Sequence, residues 1–144
     1  MRNAFACLLL LFFAAPLWAV LGQPVSSVQS DRVQMRGTMR SAAGKGYSVQ
    51  TITAPYGETV NEYVSPTGMV FGVSWKGPVM PNLSQLLGSY FSQLSQPTTS
   101  RRRRSVIVRT SQVVIESGGH PRGFHGIAYV PSLVPANLSP SVVQ

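Results

Sequence analysis

Cysteine and carboxylate side chains are scarce in this sequence. Its 144 residues include one cysteine, Cys7, and four acidic residues against twelve lysines and arginines. A single thiol cannot form an intramolecular disulfide, so no such bond braces the fold. The formal net charge of +8 favours anionic partners, such as phosphate-bearing envelope polymers or lipid headgroups.

The first twenty residues have the pattern of an export signal. Arg2 is followed by an unbroken apolar run, and the small residue Ala19 follows a proline. A basic start, an apolar run of roughly 7–15 residues and a small-residue cleavage site are typical of a secretory signal peptide. We therefore predict a signal peptide at 1–19, cleaved after Ala19 or Gly22, and a periplasmic or secreted protein. Nucleic acid is not expected as a partner of an exported chain.

An uncleaved membrane anchor is the alternative interpretation of the same segment. Residues 4–21 are almost wholly apolar and reach the lower edge of the roughly 17–25 residues that span a bilayer. Pro16 and the small residues behind it favour cleavage.

The rest of the chain has the length of one domain. A capping pattern at Ser30 or Asp31 predicts a short helix that carries Val33, Met35 and Met39. We divide the chain into an N-terminal segment (20–46), a single α+β domain (47–131) with a flexible basic loop (95–105), and an extended, proline-containing tail (132–144).

Three strand-like runs follow one another in the first half of the domain. Residues 47–53, 58–64 and 69–75 are rich in β-branched and aromatic types, and the turns 54–57 and 65–68 separate them. Both turns have the pattern x-Pro-x-Gly, in which proline presets φ and glycine accepts a positive φ. Two matched turns between three strands predict an antiparallel meander.

The third run has the clearest alternation of side chains. Met69, Phe71, Val73 and Trp75 occupy every second position. Alternate residues of a strand point to the same side of a sheet. We therefore expect these four side chains to share one face, and that face to lie on the core.

Residues 82–94 predict an amphipathic α-helix. Apolar residues recur at i, i+3, i+4, i+7, i+8 and i+11 from Leu83, and Asn82 with Gln85 resembles a capping box. Two or three further strands follow position 105. The predicted fold is α+β: an antiparallel sheet of five or six strands, built from the meander and a C-terminal hairpin, with this one helix packed on a face.

Both histidines lie in one glycine-rich stretch, residues 116–126. A symmetric hairpin with 118–123 as its loop would place Glu116 opposite His125, and His120 at the tip would complete a three-ligand metal set. The glycines are also what a sharp turn requires. We interpret the stretch as a structural hairpin. A metal-binding protein or metal-dependent hydrolase that uses those three residues is the alternative.

No other pattern predicts catalysis. Glu58 and Glu62 are four residues apart on one strand and could act as a carboxylate pair, but their neighbours are typical of a solvated strand face. The sequence contains no Gly-x-Ser-x-Gly elbow and no glycine-rich phosphate loop. We therefore predict a protein that is not an enzyme, with no catalytic residues and no cofactor.

Binding surfaces often form beside glycine- and proline-rich turns, and large or polar side chains occur there in this chain. The candidate binding residues are Trp75, Lys76, His120, Arg122 and His125. A run of four arginines could also hold phosphate groups, or could simply be a solvated loop. These candidate anion-binding residues are Arg101, Arg102, Arg103 and Arg104.

Three stretches, "EYVSPTGMVFGVSWKGP", "LLGSYF" and "ESGGHPRGFHG", carry a resemblance to a known family. The sequence resembles the bacterial family known as domain of unknown function 2844, which comprises small exported proteins, mostly from Gram-negative bacteria. The resemblance implies export and a single compact domain, and it supplies no activity and no functional residues. The arginine run lies in what looks like the family's variable loop. Because no pattern predicts catalysis and the N-terminus predicts export, we expect a non-enzymatic protein that binds another envelope or exported protein.

Overall fold

The computed structural model describes residues 21–96, 100–102 and 104–144, with the side chains of 100–102 left out. The predicted signal peptide lies outside these ranges. The described residues form two α-helices, α1 (Val28–Gln34) and α2 (Leu83–Leu87). The strands are β1 (Thr38–Ala43), β2 (Ser48–Thr53), β3 (Thr59–Val64), β4 (Val70–Gly77), β5 (Ser100–Arg102), β6 (Ser105–Arg109), β7 (Val114–His120) and β8 (Gly123–Tyr129). No helix in the described part of the chain has the length and hydropathy needed to cross a membrane.

The strands form one sheet in the order β1-β2-β3-β4-β8-β7-β6-β5, and every neighbouring pair is antiparallel. The predicted α+β class is therefore confirmed. Seven strands have five residues or more, and β5 has three, so the expected five or six strands were too few. The additional strands are β1, which begins inside the segment 20–46, and β5, which lies within the predicted loop 95–105.

The two predicted turns form as expected. The amide of Gly57 donates to the carbonyl of Ala54 at 3.0 Å, and the amide of Gly68 donates to the carbonyl of Ser65 at 2.9 Å. The glycines have φ values of 92° and 80°, which side chains disfavour. The meander of β2, β3 and β4 is thus confirmed.

The expected single face of β4 is wrong at Phe71. Val64 pairs with Val70, whereas Tyr63 pairs with Gly72, so Phe71 is the extra residue of a β-bulge. The bulge shifts the alternation by one residue. Val73 and Trp75 lie in the larger core cluster, while Phe71 packs with Tyr63 in a second cluster.

The predicted helix over 82–94 is shorter than expected. α2 ends at Leu87, because Gly88 adopts φ 52° and ψ −124°, and a 3-10 helix continues over Gly88–Ser95. The predicted cap is confirmed, since the side chain of Asn82 accepts a hydrogen bond from the amide of Gln85 at 3.3 Å.

The N-terminal helix also differs from the prediction. α1 follows a 3-10 turn at Val25–Ser27, so Asp31 lies within the helix and does not cap it. Met39 lies in β1.

Side chains cover the sheet on both faces. On the helix face, Leu86 and Leu87 of α2 pack with the β-sheet residues of the larger core cluster. On the opposite face, which we call the tail face, residues 131–144 cross the sheet. Val143 is buried there with Tyr63 and Phe71, so this tail is part of the packed structure.

Candidate functional site

Two carboxyl groups are buried together between the sheet and the helices. Asp31 of α1 and Glu62 of β3 are each 1% exposed. Glu62 alternates with Val60 and Val64, which are both buried in the larger cluster on the helix face. The interpretation of Glu62 as part of a solvated strand face is therefore wrong. Glu58 precedes β3 and does not share this site.

The hydrogen bonding of this carboxyl pair is incomplete. The side-chain amide of Gln85, also buried, donates to Oδ1 of Asp31. Oδ2 of Asp31 and both carboxyl oxygens of Glu62 are buried without a donor. Buried carboxylates ordinarily receive hydrogen bonds or a cation. The missing donor is supplied when Glu62 carries a proton, because its hydroxyl can then donate to Asp31.

Burial changes the acidity of both groups. Burial, together with the neighbouring charge of Asp31 and a hydrogen bond to it, raises the pKa of Glu62 to about 9. Burial also raises the pKa of Asp31 to about 6, while hydrogen bonds from Gln85 and Glu62 act in the opposite direction. The pair therefore holds one proton near neutral pH.

A cavity of about 570 Å³ lies beside this pair, at the end of α1 and the start of α2. Gln85 lines it, as does Glu58, whereas Asp31 and Glu62 do not. The carboxyl pair consequently has no direct contact with the space that a ligand would enter.

A second cavity lies on the tail face and contains several of the predicted residues. It measures about 380 Å³. Lys76 and His125 occupy directly paired positions on β4 and β8, and both side chains are exposed at this cavity. We call this cavity the groove. The side chains that face it include Asn61, Ser74, Lys76, Ile107, Glu116, His125 and Ile127, and Gln144 lies at its border.

A row of polar side chains crosses the tail face at the border of the groove. Thr51 donates to the side-chain oxygen of Asn61 at 2.8 Å, and the amide of Asn61 donates to Ser74 at 3.2 Å. Ser74 in turn donates to the main-chain oxygen of Gln144 at 2.9 Å, and Tyr63 donates to the same oxygen at 2.6 Å. Side chains of the sheet thus bind the main chain of the tail.

The hairpin of β7 and β8 is tighter than predicted. β7 continues to His120, and Pro121 and Arg122 form the turn, where Arg122 has a φ of 70°. Glu116 consequently pairs with Ile127, and His125 pairs with Gly118. The expected opposition of Glu116 and His125 is wrong.

The alternative metal set is not assembled. The described residues contain no group of three or more His, Cys, Asp and Glu side chains that could hold a metal ion. Glu116 instead forms an ion pair with Arg109 at 2.5 Å. Nδ1 of His120, at the exposed tip, lies 2.9 Å from the carbonyl oxygen of Pro121.

Two other candidates, Trp75 and Arg122, do not present their side chains to the groove. Trp75 is 2% exposed, and its indole packs in the core on the helix face, so it is not available as a binding side chain. Arg122 is exposed at the hairpin tip. Among the arginine run, Arg104 is exposed, and the side chains of the other three lie outside the described residues.

Sequence comparison gives the family of the chain. The model of the family described as "Protein of unknown function (DUF2844)" matches residues 18–143. The chain belongs to this family. No curated protein and no solved structure matches it. The match to DUF2844 covers the carboxyl pair and the sheet residues of the groove but ends one residue before Gln144, and it brings no assigned activity with it.

Proposed function

We propose that this DUF2844 protein is an exported, non-enzymatic binding protein of the cell envelope, and that the groove on the tail face is its binding site. The proposed partner is another envelope or exported protein, which contributes an extended segment. The N-terminal signal pattern supports export.

The binding of Gln144 is the observation that carries this proposal. Its main-chain oxygen accepts from Tyr63 and Ser74, and its amide donates to the hydroxyl of Tyr63 at 3.1 Å. Side chains on this face of the sheet therefore bind the main chain of one tail residue, which follows a 3-10 helix at Pro140–Val142, without strand pairing. The groove continues from that point over Ser74 and Ile127.

The groove also offers the combination of groups that a peptide needs. Ile107 and Ile127 are half-buried and provide apolar contact, whereas Lys76 and His125 are exposed and polar. The carboxylate of Glu116 is already paired with Arg109. Lys76 has no ion pair within the described residues, and its positive charge favours a segment with an acidic side chain.

Site-specific photo-crosslinking in living cells tests the proposal. A photoreactive amino acid replaces His125 in the groove of the full chain, and in a control chain it replaces Val33, which is 59% exposed on α1. We expect one protein adduct from position 125 that position 33 does not form. The change Ile107→Lys should weaken that adduct, because it places a charge on the apolar wall.

Two results would overturn the proposal. One is the absence of an adduct at position 125, and the other is the same set of adducts from positions 33 and 125.

Mass spectrometry of the recovered chain tests export independently. A mature protein that begins at Val20 or Gln23 supports it, and a chain that retains Met1 in the cytosolic fraction contradicts it.

A further inference from the structure

The buried carboxyl pair lies where three elements meet. Asp31 belongs to α1, Gln85 to α2 and Glu62 to β3, and all three side chains are buried. Gln85 joins the helices through its hydrogen bond to Asp31. The contact between Asp31 and Glu62 is therefore the polar link between this helix pair and the sheet.

Within the described residues no positively charged side chain forms an ion pair with Asp31 or Glu62. Arg36, just after the end of α1, and Glu58 line the neighbouring cavity, which Gln85 also lines. Glu62 pairs with Gln50 on β2 and with Val73 on β4, and Gln85 faces the pair from α2. The salt bridge found among the described residues joins Arg109 and Glu116, and it lies on the tail face, away from the carboxyl pair. Arg32 of α1 bonds instead to Gln29 on the exposed side of its helix.

We propose that Asp31 and Glu62 share a proton and act as a pH-dependent latch that holds α1 and α2 against the sheet. When the pair holds one proton, the hydroxyl of Glu62 can donate a hydrogen bond to Asp31. This bond provides a donor at carboxyl oxygens that are otherwise buried without one. Without a proton, two carboxylates face each other in a buried site without a cation, and repulsion together with desolvation favours separation of the helices from the sheet. Loss of the last proton opens the latch.

The sign of the effect follows from the direction of both shifts. Burial raises the pKa of Glu62 to about 9 and that of Asp31 to about 6, from ordinary values of 4.5 and 3.8. The native state then binds more protons than the unfolded chain, and stability falls as the pH rises. Between pH values of about 6 and 9 the excess is one proton, so the equilibrium constant of unfolding should increase about tenfold per pH unit.

The variant Glu62→Gln tests the latch. Glutamine keeps the shape of Glu62, cannot ionise, and can donate its amide to Asp31. Glu58→Gln is the matched control. One carboxyl oxygen of Glu58 is also buried without a donor, but Glu58 lies outside the pair, so this variant separates the effect of the pair from that of a single buried carboxyl group. Urea unfolding of the full chain is measured from pH 5 to 10, and hydrogen exchange of the α1 amides is compared with that of β7 and β8.

Between pH 6 and 9 we expect the wild type and Glu58→Gln to lose stability as the pH rises, whereas the profile of Glu62→Gln should be much flatter. Exchange of the α1 amides should rise with pH before that of β7 and β8. If Glu62→Gln does not fold, Asp31→Asn replaces it. Asp31→Asn removes the charge that faces Glu62. This variant should therefore lose less stability than the wild type as the pH rises to 8.

Three results would overturn the inference. The first is a wild-type profile that is flat between pH 6 and 9. The second is a variant, Glu62→Gln or its substitute Asp31→Asn, with an unchanged profile. The third is exchange of the α1 amides that rises only together with that of β7 and β8, which would make the pair a determinant of global stability instead of a latch.

Discussion

Trp75 and Gly126 lie directly opposite each other on β4 and β8, and the indole ring covers the α-carbon of Gly126. A Cβ at position 126 would overlap Cζ2 and Cε2 of Trp75 and stand 2.7 Å from the main-chain oxygen of Glu116. Gly126 is therefore required because the indole ring of Trp75 and the main chain of β7 both approach it closely. This contact joins the two central strands of the sheet.

The change Gly126→Ala should destabilise the protein by about 1–3 kcal/mol, as overpacking of a well-filled core does. Gly68→Ala is the control. A Cβ there meets nothing within 4 Å, and the positive φ of 80° alone costs about 1–2 kcal/mol. Urea unfolding compares the two variants. The packing argument fails if Gly126→Ala leaves the stability at the wild-type value.

Removal of the Tyr63 hydroxyl should loosen the tail. The change Tyr63→Phe deletes both bonds to Gln144 and should cost about 0.5–1.5 kcal/mol per hydrogen bond lost. Hydrogen exchange of residues 139–144 should accelerate. Tyr56→Phe provides the comparison, because Tyr56 is 77% exposed. Equal exchange in the two variants would show that these bonds do not hold the tail.

The cap of α2 should contribute a measurable part of the stability. Asn82→Ala removes the acceptor for the amide of Gln85 and should cost about 0.5–2 kcal/mol. Asn82→Asp keeps an acceptor and should stay close to the wild type. The cap is unimportant if the alanine and aspartate variants unfold at the same urea concentration.

Zinc should leave the melting temperature unchanged. Glu116, His120 and His125 do not form a group that could hold a metal ion, so the native state gains no ligand-linked stabilisation. The double variant His120→Ala/His125→Ala should melt with the wild type, with or without zinc. A zinc-dependent rise in the wild type that the double variant loses would restore the metal hypothesis.

Local backbone chemistry explains which parts of the fold were predictable. The turns that end at Gly57 and Gly68 were visible because proline and glycine restrict φ within four residues. The cap at Asn82 was visible because Asn82 followed three residues later by Gln85 is a capping pattern. Interactions of short range leave a pattern in short stretches of sequence.

Features that depend on pairing partners were not predictable in this way. The bulge at Phe71 is defined by the positions of Tyr63 and Val64 on the neighbouring strand. β1 was missed because its side chains are all exposed, so it lacks the alternation of a half-buried strand. The apolar stripe of 82–94 suggested one helix, but Gly88 changes the backbone direction within it.

The carboxyl pair had a signal that the sequence analysis did not use. Glu62 has the same parity as Val60 and Val64, which places it on an apolar face. Asp31 follows the buried Val28 by three residues, on the same side of α1. Carboxylates are ordinarily solvated, so the pattern favoured a helix cap for Asp31 and a solvated strand face for Glu62. Their contact also required knowledge of how α1 lies on β3.

The strand order determines when the two central strands of the sheet can pair. β4 and β8 are neighbours in the centre, yet the whole stretch from Pro78 to Arg122 separates them along the chain. When the chain emerges N-terminus first, as in export by a signal peptide, β1 to β4 can pair in sequence while the far side of β4 has no strand beside it. The nascent half therefore presents Trp75 at an open, aggregation-prone edge until β8 emerges. A chaperone that covers this edge would act in the interval between the two halves.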